Sequence, residues 1–455
     1  MSPTTVALAM LIIIIACILI NKIPMNFIMF LVPLACLLIL DKNHNIFEAS
    51  KVILTQINMV MSGAGYMLMF GIIYFSMLTE TGLFEIIINK MISMLGERMN
   101  MVVIMIMTTV ISCVAYLTAN MSTTYLIVFP VMISLYKKYN IDRNVAFIVC
   151  QTAVSAMCWL PWGIGIVNSA MMAGVSPEEL SVASIPWGLC FIPAIILQWA
   201  YFAFTHKRKN GTLGLPATAV EVEASAAKKK EGEDLSRPQF FWINLIIFAA
   251  AVAALAYFKI PSYLVFIVAA ILTAMINYPK DFGKIWNKSG TTFFNVLIML
   301  LGICFYLAAF NAKFVDGVLT AVVPQNVQTT SMVTSLAGAM TGVFPEYLLK
   351  YMFLIFLILV VPIIHFIPYQ VYNTMYPLFI SVGATFGMTS MAIIAPFVCN
   401  LGLATSVTPM NSATYVGCTL CEIEVDHFCN WGGVIMFFTN LVVIACAILT
   451  GVMVL

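Results

Sequence analysis

Residues 6–20 read VALAMLIIIIACILI and residues 30–40 read FLVPLACLLIL, uncharged runs built almost wholly from aliphatic side chains. Runs of this kind recur along the chain and reach the length needed to cross a hydrocarbon layer. With 62% hydrophobic and 9% charged residues among 455, the chain is expected to be an all-α polytopic protein of the cell membrane. A net charge of +2, with its basic residues spread over loops, excludes nucleic acid as a partner. No cleaved leader is expected, because no basic segment precedes the first apolar run. The twelve cysteines are scattered, and CTLC at 418–421 has no second pair, so no metal or redox centre is expected.

Residues 205–238, THKRKNGTLGLPATAVEVEASAAKKKEGEDLSRP, break the pattern: polar, charged and poor in bulky groups, they read as a solvated linker. On either side, 1–204 and 239–455 resemble each other. KIPMNFIMFLV at 22–32 returns as KIPSYLVFIVA at 259–269, and FGIIYF at 70–75 as LGICFY at 301–306. FPVMIS at 129–134 matches YPLFIS at 376–381, and WLPW at 159–162 aligns with VTPM at 407–410. Matches in one order at offsets between 231 and 248 point to an internal repeat.

Each half then contains segments too short to cross. An arm at about 80–100 precedes a hairpin at about 101–136, whose tip is ANMSTT. The second half has a hairpin at about 349–388, with HFIPYQVYNT at its tip. Behind each lies an apolar run interrupted by proline, glycine and small polar residues, at about 145–172 and 391–421. Backbone groups freed by such a break survive only against protein or a watery cavity, so both runs are expected to line one. Five spans per half, ten in all, make the repeat inverted. With the linker cytoplasmic, sixteen basic residues fall inside and five outside, in keeping with the positive-inside rule. Inverted repeats with broken helices are the architecture of secondary transporters.

FGIIYFSMLTETGLFE at 70–85, then STTY, FPVMISLY, MCWLPWG and TPMNSATYVG ending in EVDHF resemble, in order and spacing, the citrate–metal:proton symporter family of the ion transporter superfamily. The resemblance implies an elevator-type carrier: a homodimer whose protomers each hold a fixed scaffold and a mobile transport domain carrying both hairpins. It also implies proton coupling. The chain reads as a divergent member. Ala119, Asn120 and Met121 stand where citrate carriers have an acidic, glycine-rich stretch, and Asn168 and Ser169 where they have an arginine. Both changes remove charge from the expected cavity.

The residues supply their own reading. Asn120, Ser122, Thr123 and Thr124 at one tip, Tyr369, Gln370, Asn373 and Thr374 at the other, and Asn168, Ser169, Asn411, Ser412 and Thr414 at the breaks carry hydroxyls and amides. With helix N-termini adding partial positive charge, this set could hold a carboxylate without a buried cation. The competing reading is that small polar residues merely pack helices together. The expected function is ion-coupled alternating access for a small organic anion of the di- or tricarboxylate kind. A cation/proton antiporter or an anion channel of the same superfamily is the alternative. Because the tips and breaks offer mainly neutral oxygens, Na⁺ is expected near Asn120, Gly163, Gly165, Pro409 and Asn411, ahead of H⁺. Glu80, Glu85, Glu178, Glu179, Glu422, Glu424 and Asp426 are expected at interfaces, and His365 and His427 remain unassigned. No HExxH, GxSxG or acidic metal cluster appears, so no enzyme and no cofactor are expected.

Overall fold

A computed structural model describes residues 2–20, 25–84, 86–87, 90, 100–213, 235–256, 258, 260–321, 329–366, 369–409 and 411–453. Most of the arm at 80–100, with Glu85, and most of the linker lie outside the described residues. Helices follow one another in the order α1 (Pro3–Ile20), α2 (Met25–Leu40), α3 (Ile46–Val60) and α4 (Tyr66–Glu80), the last two joined by a π-helical turn at Met61–Gly65. Then come α5 (Met101–Ala115), α6 (Met121–Lys138), α7 (Arg143–Ala156), α8 (Ile164–Ala173), α9 (Pro177–Leu189) and α10 (Phe191–Asn210). Beyond the linker stand α11 (Phe241–Ala256), α12 (Ser262–Asn277) and α13 (Phe282–Asn311), followed by a two-stranded antiparallel ladder of β1 (Phe314–Val315) and β2 (Val318–Leu319). The chain continues as α14 (Met332–Val343), α15 (Glu346–Lys350), α16 (Met352–Ile358), α17 (Val360–Phe366), α18 (Tyr369–Asn373), α19 (Tyr376–Ala384), α20 (Ser390–Thr405), α21 (Ser412–Cys421) and α22 (Val425–Leu449).

Small polar residues start many of these helices. Asn100, Asn120, Asp142, Thr389 and Asn411 each accept a hydrogen bond from an N–H in the first turn, and Ser176 closes a capping box with Glu179. α5 and α6 form the first hairpin, turning at Ala119, which sits in the left-handed region at φ 52°. The two interruptions come at matching places. α7 ends at Ala156 and α8 begins after Gly163; α20 ends at Thr405 and α21 begins after Asn411. Pro161 and Pro409, which have no N–H to donate, lie within them at the 248-residue offset that also separates Gly163 from Asn411.

Among the described residues, four helical stretches are long and apolar enough to cross a membrane: Met101–Thr118, Pro177–Asn210, Pro238–Leu255 and Val425–Leu449. Other apolar helices have 10–17 residues. The outer leg of the first hairpin is thus longer than a re-entrant segment requires. Its surroundings explain the length: 61% of that stretch is buried against protein, whereas Pro238–Leu255 is only 11% buried and turns Trp242, Ile243 and Ile246 outward.

Two packing groups result. α1–α4 and α11–α13 pack on one another, and α5–α10 pack with α16–α22, while α14 touches α1 and α13 on one side and α19 on the other. Trp162, from the first interruption, stands between the groups. Its ring stacks on Phe75 of α4 at 5.4 Å and meets Phe266 of α12 edge-on at 5.7 Å. Within the second group α7 crosses α20 at Gly402, whose carbonyl accepts a hydrogen bond of 2.7 Å from Gln151 Nε2. All twelve cysteines are free and buried or half-buried, as the sequence led us to expect of small hydrophobes.

Candidate transport site

The first hairpin tip meets both interruptions. Trp162 Nε1 donates to the Leu117 carbonyl at 2.9 Å, which ties the tip to the break between α7 and α8. Across from it, α6 packs on α21, and the Thr405 hydroxyl approaches the Met121 sulfur at 3.7 Å. Asn120 uses its side-chain oxygen on Thr123 N–H, and the buried Thr124 hydroxyl donates to the Asn120 carbonyl. Asn411 and Thr414 both donate to the Thr405 carbonyl, at 2.7 and 3.4 Å, so the second break is closed by its own side chains. Pro409 is half-buried in that break, and Ser122 is half-buried on α6. His365 Nδ1 lies 3.2 Å from the Val407 carbonyl, bringing the end of α17 to the same place.

The stretch expected as the second hairpin meets the other half of the first interruption. α18 and α19 pack on α8. The Ser169 hydroxyl donates to the Gly165 carbonyl at 3.0 Å and lies against the Tyr376 hydroxyl. Asn168, 1% exposed, has no partner among the described residues for either side-chain atom, and the oxygen of Asn373, 3% exposed, has none. A buried polar atom without a partner is costly and uncommon, which singles out Asn168 and Asn373 as candidates for contact with a ligand. Thr374 is buried, and its carbonyl accepts from Tyr306 Oη of α13 at 2.6 Å, which anchors this hairpin to the other helix group. Tyr369 is half-buried at the start of α18; Gln370 and Ser412 occupy helical positions. Gly163 caps α8 from extended backbone, and Gly165 in its first turn has open space where a side chain would be.

A cavity of about 210 Å³ opens beside the first tip. Asn120, Thr123 and Trp162 line it together with Ser76, Thr79 and Glu80 of α4 and Lys288 of α13. Lys288 and Glu80 form an ion pair of 2.8 Å.

Three of the other carboxylates named from the sequence hold elements together. Glu422, 57% exposed, pairs with Lys137 at 2.8 Å and Arg143 at 2.7 Å; the Lys137 hydrogen bond and the two cations hold it below the usual carboxylate range against a smaller effect of burial. Glu178 accepts from Ser262 Oγ at 2.7 Å across the two helix groups, and Glu179 closes its capping box. Glu424 stands at the N-terminal boundary of α22, with Asp426 in its first turn. Among the described residues no cluster of His, Cys, Asp and Glu could hold a metal ion.

The sequence pattern did not reveal Gln151, Tyr125, Trp162 or Tyr376. Gln151 accepts from Tyr125 Oη while donating to Gly402, a buried relay between the hairpin and the crossed helices. A lone glutamine in the apolar stretch of α7 was the available signal.

The model of the citrate transporter family CitMHS matches residues 9–369. The chain belongs to this family. Similar curated proteins come from Bacillus subtilis (strain 168). An uncharacterized transporter, YraO, is 24% identical over 88% of both chains, and a citrate transporter is 25% identical over 72% of each. A Mg²⁺/citrate complex secondary transporter is 27% identical over 47% of this chain and 48% of its own. Among solved structures, MtrF of Neisseria gonorrhoeae, described as illuminating a class of antimetabolite efflux pumps, has a TM-score of 0.55 at 13% identity over 87% of this chain and 83% of its own. That likeness concerns the fold. The CitMHS-family chain is thus an all-α integral membrane protein of transporter architecture.

Proposed function

We propose that the protein is a secondary carrier that moves a small organic anion, of the di- or tricarboxylate kind, by ion-coupled alternating access. The observation that carries this reading is the buried amide of Asn168, without a partner among the described residues, together with the unpaired side-chain oxygen of buried Asn373, on the packed elements α8 and α18. Amides left open in a protein interior are suited to a ligand that brings its own polar atoms and leaves again. The family and the citrate carriers among its relatives supply the substrate class, and the Mg²⁺/citrate relative adds the metal complex as a candidate form of it. In this reading α5–α10 and α16–α22 are the moving body, the other group is the scaffold, two copies associate through scaffolds, and the linker faces the cytoplasm. Neutral oxygens at Asn120, Gly163, Gly165, Pro409 and Asn411 favour Na⁺ as coupling ion over H⁺.

The decisive experiment is uptake of a labelled carboxylate panel, including citrate with and without Mg²⁺, into proteoliposomes. Saturable counterflow is expected, with accumulation driven by an inward Na⁺ gradient. Full accumulation under a proton gradient without Na⁺ would overturn the sodium assignment and move attention to His365; conductance without counterflow would make the protein a channel.

A further inference from the structure

The cavity beside the first hairpin tip carries two ionisable side chains among its described lining residues, Glu80 and Lys288. They line it together with Asn120 and Thr123, and their 2.8 Å pair leaves the cavity with no net charge from these groups. Lys288 is 49% exposed and Glu80 17% exposed, so the ammonium reaches water while the carboxylate is largely withdrawn. A half-exposed ion pair is a weak one, because solvent competes for the lysine and side-chain entropy opposes holding it. A cleft with protein walls also focuses the field of a charge on its lining. A carboxylate entering the cavity therefore meets a cation it can win from a resident carboxylate by exchange.

We infer that Lys288 is the admitting charge for the anion and that Glu80 is its resident counter-ion, displaced when the anion arrives. This rests on the carboxylate-carrier reading above. The arrangement explains how a cavity lined by the neutral amide of Asn120 attracts an anion: Lys288 supplies the charge from α13. It also sets specificity, since a neutral solute has nothing with which to displace Glu80.

The test uses the purified full chain carrying Thr79→Cys as a reporter on the cavity wall. Modification at residue 79 by an anionic and a cationic methanethiosulfonate is followed by mass spectrometry. Lys288→Gln is expected to lower the anionic-to-cationic rate ratio at least threefold, and Glu80→Gln to raise it at least threefold. The double variant should lie between them. Ratios within twofold of the parent for both single variants, or shifts in the same direction, would overturn the inference. In a second arm, citrate with or without Mg²⁺ should protect residue 79 in the parent and lose that protection in Lys288→Gln. Protection that survives Lys288→Gln also overturns it. Absence of protection by citrate and by the wider carboxylate panel in the parent would count against the carboxylate reading itself, while the rate ratios still decide the role of Lys288.

Discussion

Asn168 sits in the middle of a ten-residue helix with both ends of its amide unengaged and 1% of its surface exposed. Such a group destabilises the ligand-free fold by about 1–3 kcal/mol. Asn168→Leu, similar in size and without polar atoms, is therefore expected to raise the melting temperature of the ligand-free protein while abolishing uptake; a purely structural asparagine would lose both together. Glycine gives a contrast at the same scale. A side chain on Gly402 would place its Cβ 2.8 Å from Ser155 Oγ and 3.0 Å from Ser155 Cα, with backbone that cannot step aside. Gly402→Ala should cost about 1–3 kcal/mol by forcing α7 and α20 apart. Gly433, in α22, has open space around it, and Gly433→Ala should instead gain about 0.5–1 kcal/mol from helix propensity. Melting curves of the two variants in one detergent check both signs.

At the level of elements, one carboxylate fastens three of them. Glu422, in the left-handed residue that ends α21, holds Lys137 at the end of α6 and Arg143 at the start of α7. Its pKa lies below the ordinary 4.5, so its contribution is complete above that value and vanishes as pH falls through the lower, folded-state one. Melting temperatures of the parent and Glu422→Gln should differ at neutral pH and converge in strong acid; a gap that persists there would mean that the clamp acts by packing. Where helices stop and restart around Pro161 and Pro409 was legible in the sequence because the signals are local. Pro161 and Pro409 lack a donor, and Asn120 and Asn411 cap α6 and α21. The site residues were legible by type but not by partner. Asn411 and Thr414 look equivalent to Asn168 in sequence, yet they close the Thr405 carbonyl while Asn168 closes nothing. Gln151 was missed for the related reason that its relay joins Tyr125 to Gly402, 251 residues further on. No periodicity encodes such a contact.

For the molecule as a whole, the two helix groups meet through rings and few polar links. Phe75, Trp162 and Phe266 form one part of that seam, Tyr306 with Thr374 and Glu178 with Ser262 others. Apolar contact has no preferred direction, so sliding the seam exchanges one set of ring neighbours for another at little cost, as the proposed elevator movement requires. The outward face of the first helix group sets a different condition. Pro238–Leu255, with Trp242 and Ile246 turned away from the protein, is 18 residues long and so about 27 Å tall at 1.5 Å per residue, short of the roughly 30 Å of an average hydrocarbon layer. In the reading proposed above, a scaffold carrying this stretch suits a thin bilayer. Turnover in proteoliposomes should peak with acyl chains shorter than those of common plasma-membrane lipids and fall as the chains lengthen, because a thicker layer must dimple around this helix or tilt it before anything can move.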